Sequence, residues 1–99
     1  MDSIAERTAH ETELLRRAQA GDYEAFEALY QALEPAVRRF IRRLIGMHEL
    51  EDDLIQVIFL AFFQHIKRID PPEHLRPYVY RMARNRCYDE LRRQGRYKV

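Results

Sequence analysis

Glycine, proline and cysteine are scarce in this 99-residue chain, and tryptophan is absent. With three glycines, four prolines and no sustained apolar–polar alternation, strands lack support and the chain is expected to be all-α. The single cysteine, Cys87, excludes an internal disulfide and suits a reducing compartment. Its neighbours put it on the inner face of a helix, where a free thiol serves as a small apolar core residue. Long apolar runs are missing too. The run Leu54–Phe63 is too short to span a bilayer and is interrupted by Gln56. The opening Met1-Asp-Ser-Ile-Ala-Glu-Arg lacks the apolar segment of a signal peptide. A soluble, cytoplasmic protein with no membrane insertion is the expectation.

What the chain does contain is enough for one domain with a single core. The formal net charge of +1 hides a segregated distribution. Residues 1–34 carry Asp2, Glu6, Glu11, Glu13, Asp22, Glu24, Glu27 and Glu34 against Arg7, Arg16 and Arg17. From Arg76 onward there are Arg76, Arg81, Arg84, Arg86, Arg92, Arg93, Arg96 and Lys98 against Asp89 and Glu90. Such asymmetry suggests a basic end that faces a polyanion.

Apolar spacing and punctuation predict about four helices in a compact bundle. Residues 1–10 are expected as a flexible tail, 11–96 as the helical domain, and 97–99 as the start of a linker. A first helix runs from about Glu11 to Ala20 and stops at Gly21. Asp22 caps a long second helix in which Ala25, Phe26, Leu29, Leu33, Val37, Phe40, Ile41, Leu44 and Ile45 recur at helical spacing. Pro35 should kink that helix or split it, and Gly46 ends it. After the connection His48-Glu49-Leu50, the acidic cluster Glu49, Glu51, Asp52 and Asp53 suits the N-terminal dipole of a third helix. This helix ends near Arg68, before Asp70-Pro71-Pro72. A loop through His74 leads to a fourth helix, about Leu75 to Gln94, which accepts Pro77 in its first turn and stops at Gly95.

Two helical surfaces carry chemistry. On the third helix, Ile55, Ile58, Phe59, Phe62 and Ile66 share the core arc, and Asp53, Gln56, Val57, Leu60, Gln64 and Lys67 lie opposite. Val57, Leu60 and Ala61 make this outer arc unusually apolar. It is either an interface with an apolar centre and polar rim, or a patch that the N-terminal helix covers. On the fourth helix, Val79, Ala83, Cys87 and Leu91 form the core stripe, while Arg81, Asn85, Tyr88 and Arg92 form another, with Tyr78 close by. Arginine supplies phosphate contacts, asparagine can read a base edge, and tyrosine can stack on an unpaired base. A merely solvated basic face is the competing reading. The histidines His10, His48, His65 and His74 build no metal-ligand spacing, and no Gly-rich phosphate loop or nucleophile elbow is present. No enzyme activity, cofactor or metal is expected.

The motif Asp53-Leu-Ile-Gln56-x-x-Phe59, followed by Tyr78-x-Tyr80-Arg81-Met-Ala83-Arg84-Asn85-x-x-x-Asp89-x-x-Arg92-Arg93, resembles the second conserved region of bacterial sigma factors of the extracytoplasmic-function group. Ala20-Gly21-Asp22-Tyr-Glu-Ala25-Phe26-x-x-Leu29-Tyr30 resembles that family's opening. The resemblance implies an all-helical domain that docks on the β′ subunit of core RNA polymerase and helps to melt the −10 promoter element. It assigns polymerase contact to Asp53 and Gln56, with Leu60 beside them, and the apolar outer arc adds Val57 to the expected polymerase-binding set. The resemblance assigns contact with the −10 strand, expected to be single-stranded, to Arg81, Asn85 and the helix start near Arg76 and Tyr78. The basic face extends the expected DNA-binding set to Arg68, Arg84, Tyr88, Arg92 and Arg93. The loop from about Arg68 to His74 would hold a flipped non-template base. An anti-sigma factor on the polymerase face is a further partner of this kind. A stand-alone DNA-binding regulator, or a helical interaction domain without a nucleic-acid role, stands as the alternative. Val57 replaces the family's usual acidic residue, and Tyr78 its usual tryptophan.

Overall fold

A computed structural model describes residues 3–46 and 49–95 of the chain. Its helices are α1 (Ile4–Gln19), α2 (Tyr23–Ile45), α3 (Glu51–His65) and α4 (Leu75–Arg93). Two 3-10 turns, Ile66–Arg68 and Pro72–His74, lie between α3 and α4. No strand is present among the described residues, so the architecture is all-α. The connection through His48, the linker at 97–99 and the basic residues Arg96 and Lys98 lie outside the described residues.

α1 begins seven residues earlier than apolar periodicity suggests. Ser3 caps it, its hydroxyl accepting the Glu6 N–H at 3.0 Å. Ser3-x-x-Glu6 has the spacing of a capping box, and the cap satisfies an amide that a helix start otherwise leaves unpaired. Residues 4–10, expected as tail, are therefore helical although mostly exposed. The turn after α1 is closed by Asp22, which receives Arg17 Nε at 3.0 Å and Nη2 at 2.9 Å and caps α2 through the Ala25 N–H at 3.2 Å. The Arg17 hydrogen bonds, with help from the Ala25 amide, hold the Asp22 carboxyl below its ordinary pKa.

Pro35 does not split α2, which runs unbroken for 23 residues. Both Pro35 and Gln31, whose carbonyl loses its amide partner, are on the exposed side, where water can replace the missing bond. Gly46, at φ 73°, ends the helix in the left-handed region.

The core forms around one side of α2. Leu29, Leu33, Val37 and Ile41 are at most 1% exposed, and α1, α3 and α4 each pack against this helix. Leu14 and Leu15 of α1, Ile55, Ile58, Phe59 and Phe62 of α3, and Val79, Ala83 and Cys87 of α4 complete it. The expected core residues of α3 are all buried, as are those of α4 apart from the half-buried Leu91. Burial pushes the Cys87 thiol up to about 11, so it stays protonated as an apolar filler.

Beside the core, an ion-pair network joins α2 to α3. Glu51 accepts Arg42 Nε at 2.6 Å, Arg42 Nη2 at 2.9 Å and Arg38 Nη1 at 2.6 Å. Arg38 also donates to Glu34 and Asp52, each at 2.7 Å. Helix-dipole stabilisation alone is thus an incomplete account of the acidic cluster, because Glu51 is buried and fully engaged by cations. The Arg42 hydrogen bonds, and then those of Arg38, hold its carboxyl at about 2 against the opposing effect of burial.

A carboxyl depressed in the folded state stabilises the fold above its unfolded pKa and loses that contribution as pH falls towards the folded value. Thermal or urea unfolding should therefore show stability attributable to Glu51 falling between about 4.5 and about 2. In Glu51→Gln that part of the pH dependence should be absent, and stability at neutral pH should be lower. An unchanged acid limb in the variant would show that the network does not couple folding to this carboxylate.

Candidate functional site

Leu50 precedes α3 without a side-chain cap, and the helix then turns six apolar residues inward. The residues left outward form a ridge: Asp53, Gln56, Val57, Leu60, Phe63 and Gln64 are all exposed. Val57 is 42% and Leu60 58% exposed, because α1 lies against α2 and the two 3-10 turns and leaves this side of α3 uncovered. Ala61 is different. It is buried, two turns beyond the buried Leu54, so it leaves the expected outer arc.

Grooves flank this ridge on both sides. Asp53 and Val57 look into one of about 280 Å³ between α3 and the last turns of α4, with Leu50 and Leu54 below and Arg86, Asp89, Glu90 and Arg93 along its edge. Gln56 and Leu60 border another of about 410 Å³ between α3 and α2, lined by Tyr23, Phe26, Tyr30, Phe59 and Phe63. The rings there contact one another, Phe26 with Phe63 and Tyr30 with Phe59, each at a centroid distance of 4.8 Å. Sequence reasoning missed this aromatic surface. Its signal was the spacing Tyr23-x-x-Phe26-x-x-x-Tyr30, one helical face with two members only partly buried.

α4 presents Arg81, Asn85 and Arg92 to solvent, opposite its core stripe, with Tyr88 half-buried beside them. Among the described residues, Arg68, Arg81, Arg84 and Arg86 have no ion-pair partner, and all four are exposed. Arg92 pairs with Asp89, and Arg93 with Glu90 at 2.5 Å, so their charges are locally offset though still exposed. Arg76 is the exception among the expected DNA contacts. Its guanidinium is held by Glu11 of α1, with Nε at 3.0 Å and Nη2 at 2.7 Å, and Nη1 reaches the Tyr80 hydroxyl at 3.4 Å. The Glu11 pair raises the Arg76 pKa against the effect of burial, so this arginine joins α1 to α4.

Where α4 begins, Arg68, Ile69, Asp70, His74, Pro77, Tyr78 and Arg81 surround a cavity of about 380 Å³. Two cations, an aromatic ring and an aspartate thus meet around one opening, with Asn85 exposed one turn beyond Arg81. Among the described residues, no three His, Cys, Asp or Glu side chains gather as a metal site. No helix among them is long and apolar enough to cross a membrane.

Comparison with known proteins matches residues 29–97 to the family described as Sigma-70 region 2. The chain belongs to that family. It is also 31% identical over 80 residues to the RNA polymerase sigma factor CarQ of Myxococcus xanthus, a match that covers 81% of this chain and 46% of the relative. The region 2 chain therefore spans about half the length of this curated relative. No solved structure matches it. The family match begins within α2 and takes in α3, the cavity and α4, so the outward ridge and the basic face both belong to the shared region.

Exposure separates neighbouring residues of α3 sharply. Val57→Glu should change unfolding free energy by no more than about 0.5 kcal/mol, as exposed substitutions usually do. Ala61→Glu should cost several kcal/mol, because it forces an unpaired carboxylate into a buried position. Thermal melts of the two variants check this, and equal destabilisation would contradict the placement of the ridge.

Proposed function

We propose that this chain is a transcription-initiation module that binds core RNA polymerase through the α3 ridge and the −10 promoter element through α4 and the cavity at its start. The observation that carries the reading is the convergence of Arg68, Tyr78 and Arg81 around one opening, with no carboxylate pairing either arginine. The named relative is itself an RNA polymerase sigma factor. On the protein side, Asp53, Gln56, Val57 and Leu60 would meet the β′ subunit as an apolar strip with polar ends, and an anti-sigma factor could compete for the same strip. The module carries out no catalytic step and would act in the bacterial cytoplasm.

Its task on DNA is to favour an open strand over a closed one. Unstacking a base costs a few kcal/mol, which a shaped pocket and a line of phosphate contacts can offset once the strand is displaced. Arg68, Arg81 and Arg84 would hold phosphates, Tyr78 would stack on a base turned into the cavity, and Asn85 would read a base edge. Arg92, Arg93 and Tyr88 would extend the track along α4. Arg76 supports this surface from within the fold and is left out of the contact set.

Binding of −10-like single strands, compared with duplex over a range of salt, tests the assignment. The chain should prefer the single strand. Arg81→Ala should weaken every strand about equally and reduce the slope of log affinity against log salt by about 0.7, the value for one lost single-strand phosphate contact. Asn85→Ala should instead blur sequence preference, removing about 1–3 kcal/mol of discrimination at one position. Tighter binding to duplex, or the same sequence-blind loss in both variants, would contradict these roles.

A further inference from the structure

The cavity at the start of α4 has two walls made by separate stretches of chain. One is the turn through Arg68, Ile69 and Asp70, and the other is the opening of α4 with Pro77, Tyr78 and Arg81. α1 grips both. Gln19, its last residue, donates from Nε2 to the Ile66 carbonyl at 2.8 Å and to the Ile69 carbonyl at 3.0 Å. A side-chain amide nitrogen has two N–H groups, so both are used on the backbone that leads into the first wall. The side chains of Ile66 and Ile69 are buried beneath. On the other side, buried Glu11 holds Arg76 through two hydrogen bonds, and Arg76 directly precedes Pro77. Such a two-pronged carboxylate–guanidinium pair fixes direction as well as distance. Glu11 and Gln19 are eight residues apart on one helix, or about 12 Å, so α1 acts as a bar that sets the separation of the walls.

We infer that Gln19, with the Glu11–Arg76 pair as its counterpart, is a positioning residue for base selection by this cavity. The inference rests on the strand-binding role proposed above. Gln19 touches no nucleotide. It holds the Ile69 backbone, and through it the wall that carries Arg68 and Asp70, at a set distance from Tyr78 and Arg81. Discrimination between bases depends on that fit, whereas phosphate attraction by exposed arginines does not. Loss of the Gln19 donors should therefore erode selectivity and leave overall strand affinity nearly intact.

The test uses the full 99-residue chain with Gln19→Met, which keeps length but donates nothing, and Ile55→Val as a mild core truncation in the first half of α3. Affinities are measured for a −10-like single strand and for the same strand with one base replaced at each position in turn. Wild type should show a preference of roughly tenfold at one position, within the range that a single base contact supplies. In Gln19→Met that preference should fall to about twofold or less, while Ile55→Val keeps it. Without DNA, trypsin should cut after Lys67 or Arg68 severalfold faster in Gln19→Met than in wild type or Ile55→Val. Retention of the preference in Gln19→Met overturns the inference. So does an equal loss in Ile55→Val, which would trace the effect to stability alone. Unchanged cleavage overturns the anchoring itself. If wild type shows no preference at any position, the strand-binding reading has failed and the inference falls with it, an outcome visible in the wild type alone.

Discussion

Burial of a single aliphatic stripe on α2 is the constraint on which everything else in the molecule hangs. Leu29, Leu33, Val37 and Ile41 are completely or almost completely removed from solvent, and α1, α3 and α4 attach to the helix that carries them. Each such side chain contributes about 1.5–3 kcal/mol on burial, so the stripe outweighs any one ion pair at the surface. With their inner sides committed to α2 and to each other, α3 and α4 must turn their remaining faces outward. The ridge with Asp53 and Gln56 and the basic face with Arg81 and Asn85 are the consequence. Two lateral contacts set how the outer helices sit: Glu51 with Arg38 and Arg42 on the α3 side, and Phe40 against Tyr80, 5.0 Å between centroids, on the α4 side.

Charge is divided by partnership more than by position along the chain. Two carboxylates of the acidic N-terminal third are held by arginines, Glu11 by Arg76 of α4 and Glu34 by Arg38 of its own helix. What those pairs leave over is informative. Arg68, Arg81 and Arg84 stand near the cavity or on α4 without a carboxylate, and a cation with no internal partner is available for a phosphate at little desolvation cost. The same logic removes Arg76 from the proposed DNA contacts, since Glu11 holds its guanidinium within the fold.

Local rules made much of this legible from sequence. Asp22, Gly46 and Gly95 mark helix ends through their own chemistry, and the 3.6-residue period of Ile55, Ile58, Phe59 and Phe62 identifies the buried side of α3. Ser3 was equally local, but its cap was hidden by a first helix with few apolar residues before Leu14. Ala61 was misplaced because a small residue at the border of two arcs is assigned by whichever helix lies beside it. Glu11–Arg76 and Gln19–Ile69 join residues 65 and 50 positions apart, and no periodicity reports such pairs. The candidate site was thus legible only as two exposed helical faces and a loop, while the links that tie them together depend on tertiary packing.

The central claim is that the α3 ridge is a surface for core RNA polymerase, and retention of this chain by immobilised core enzyme measures it most directly. Wild type should be retained, whereas Asp53→Ala combined with Gln56→Ala should be largely lost at unchanged melting temperature, since both residues are exposed. Equal retention of the two proteins, or retention of neither, would contradict the account.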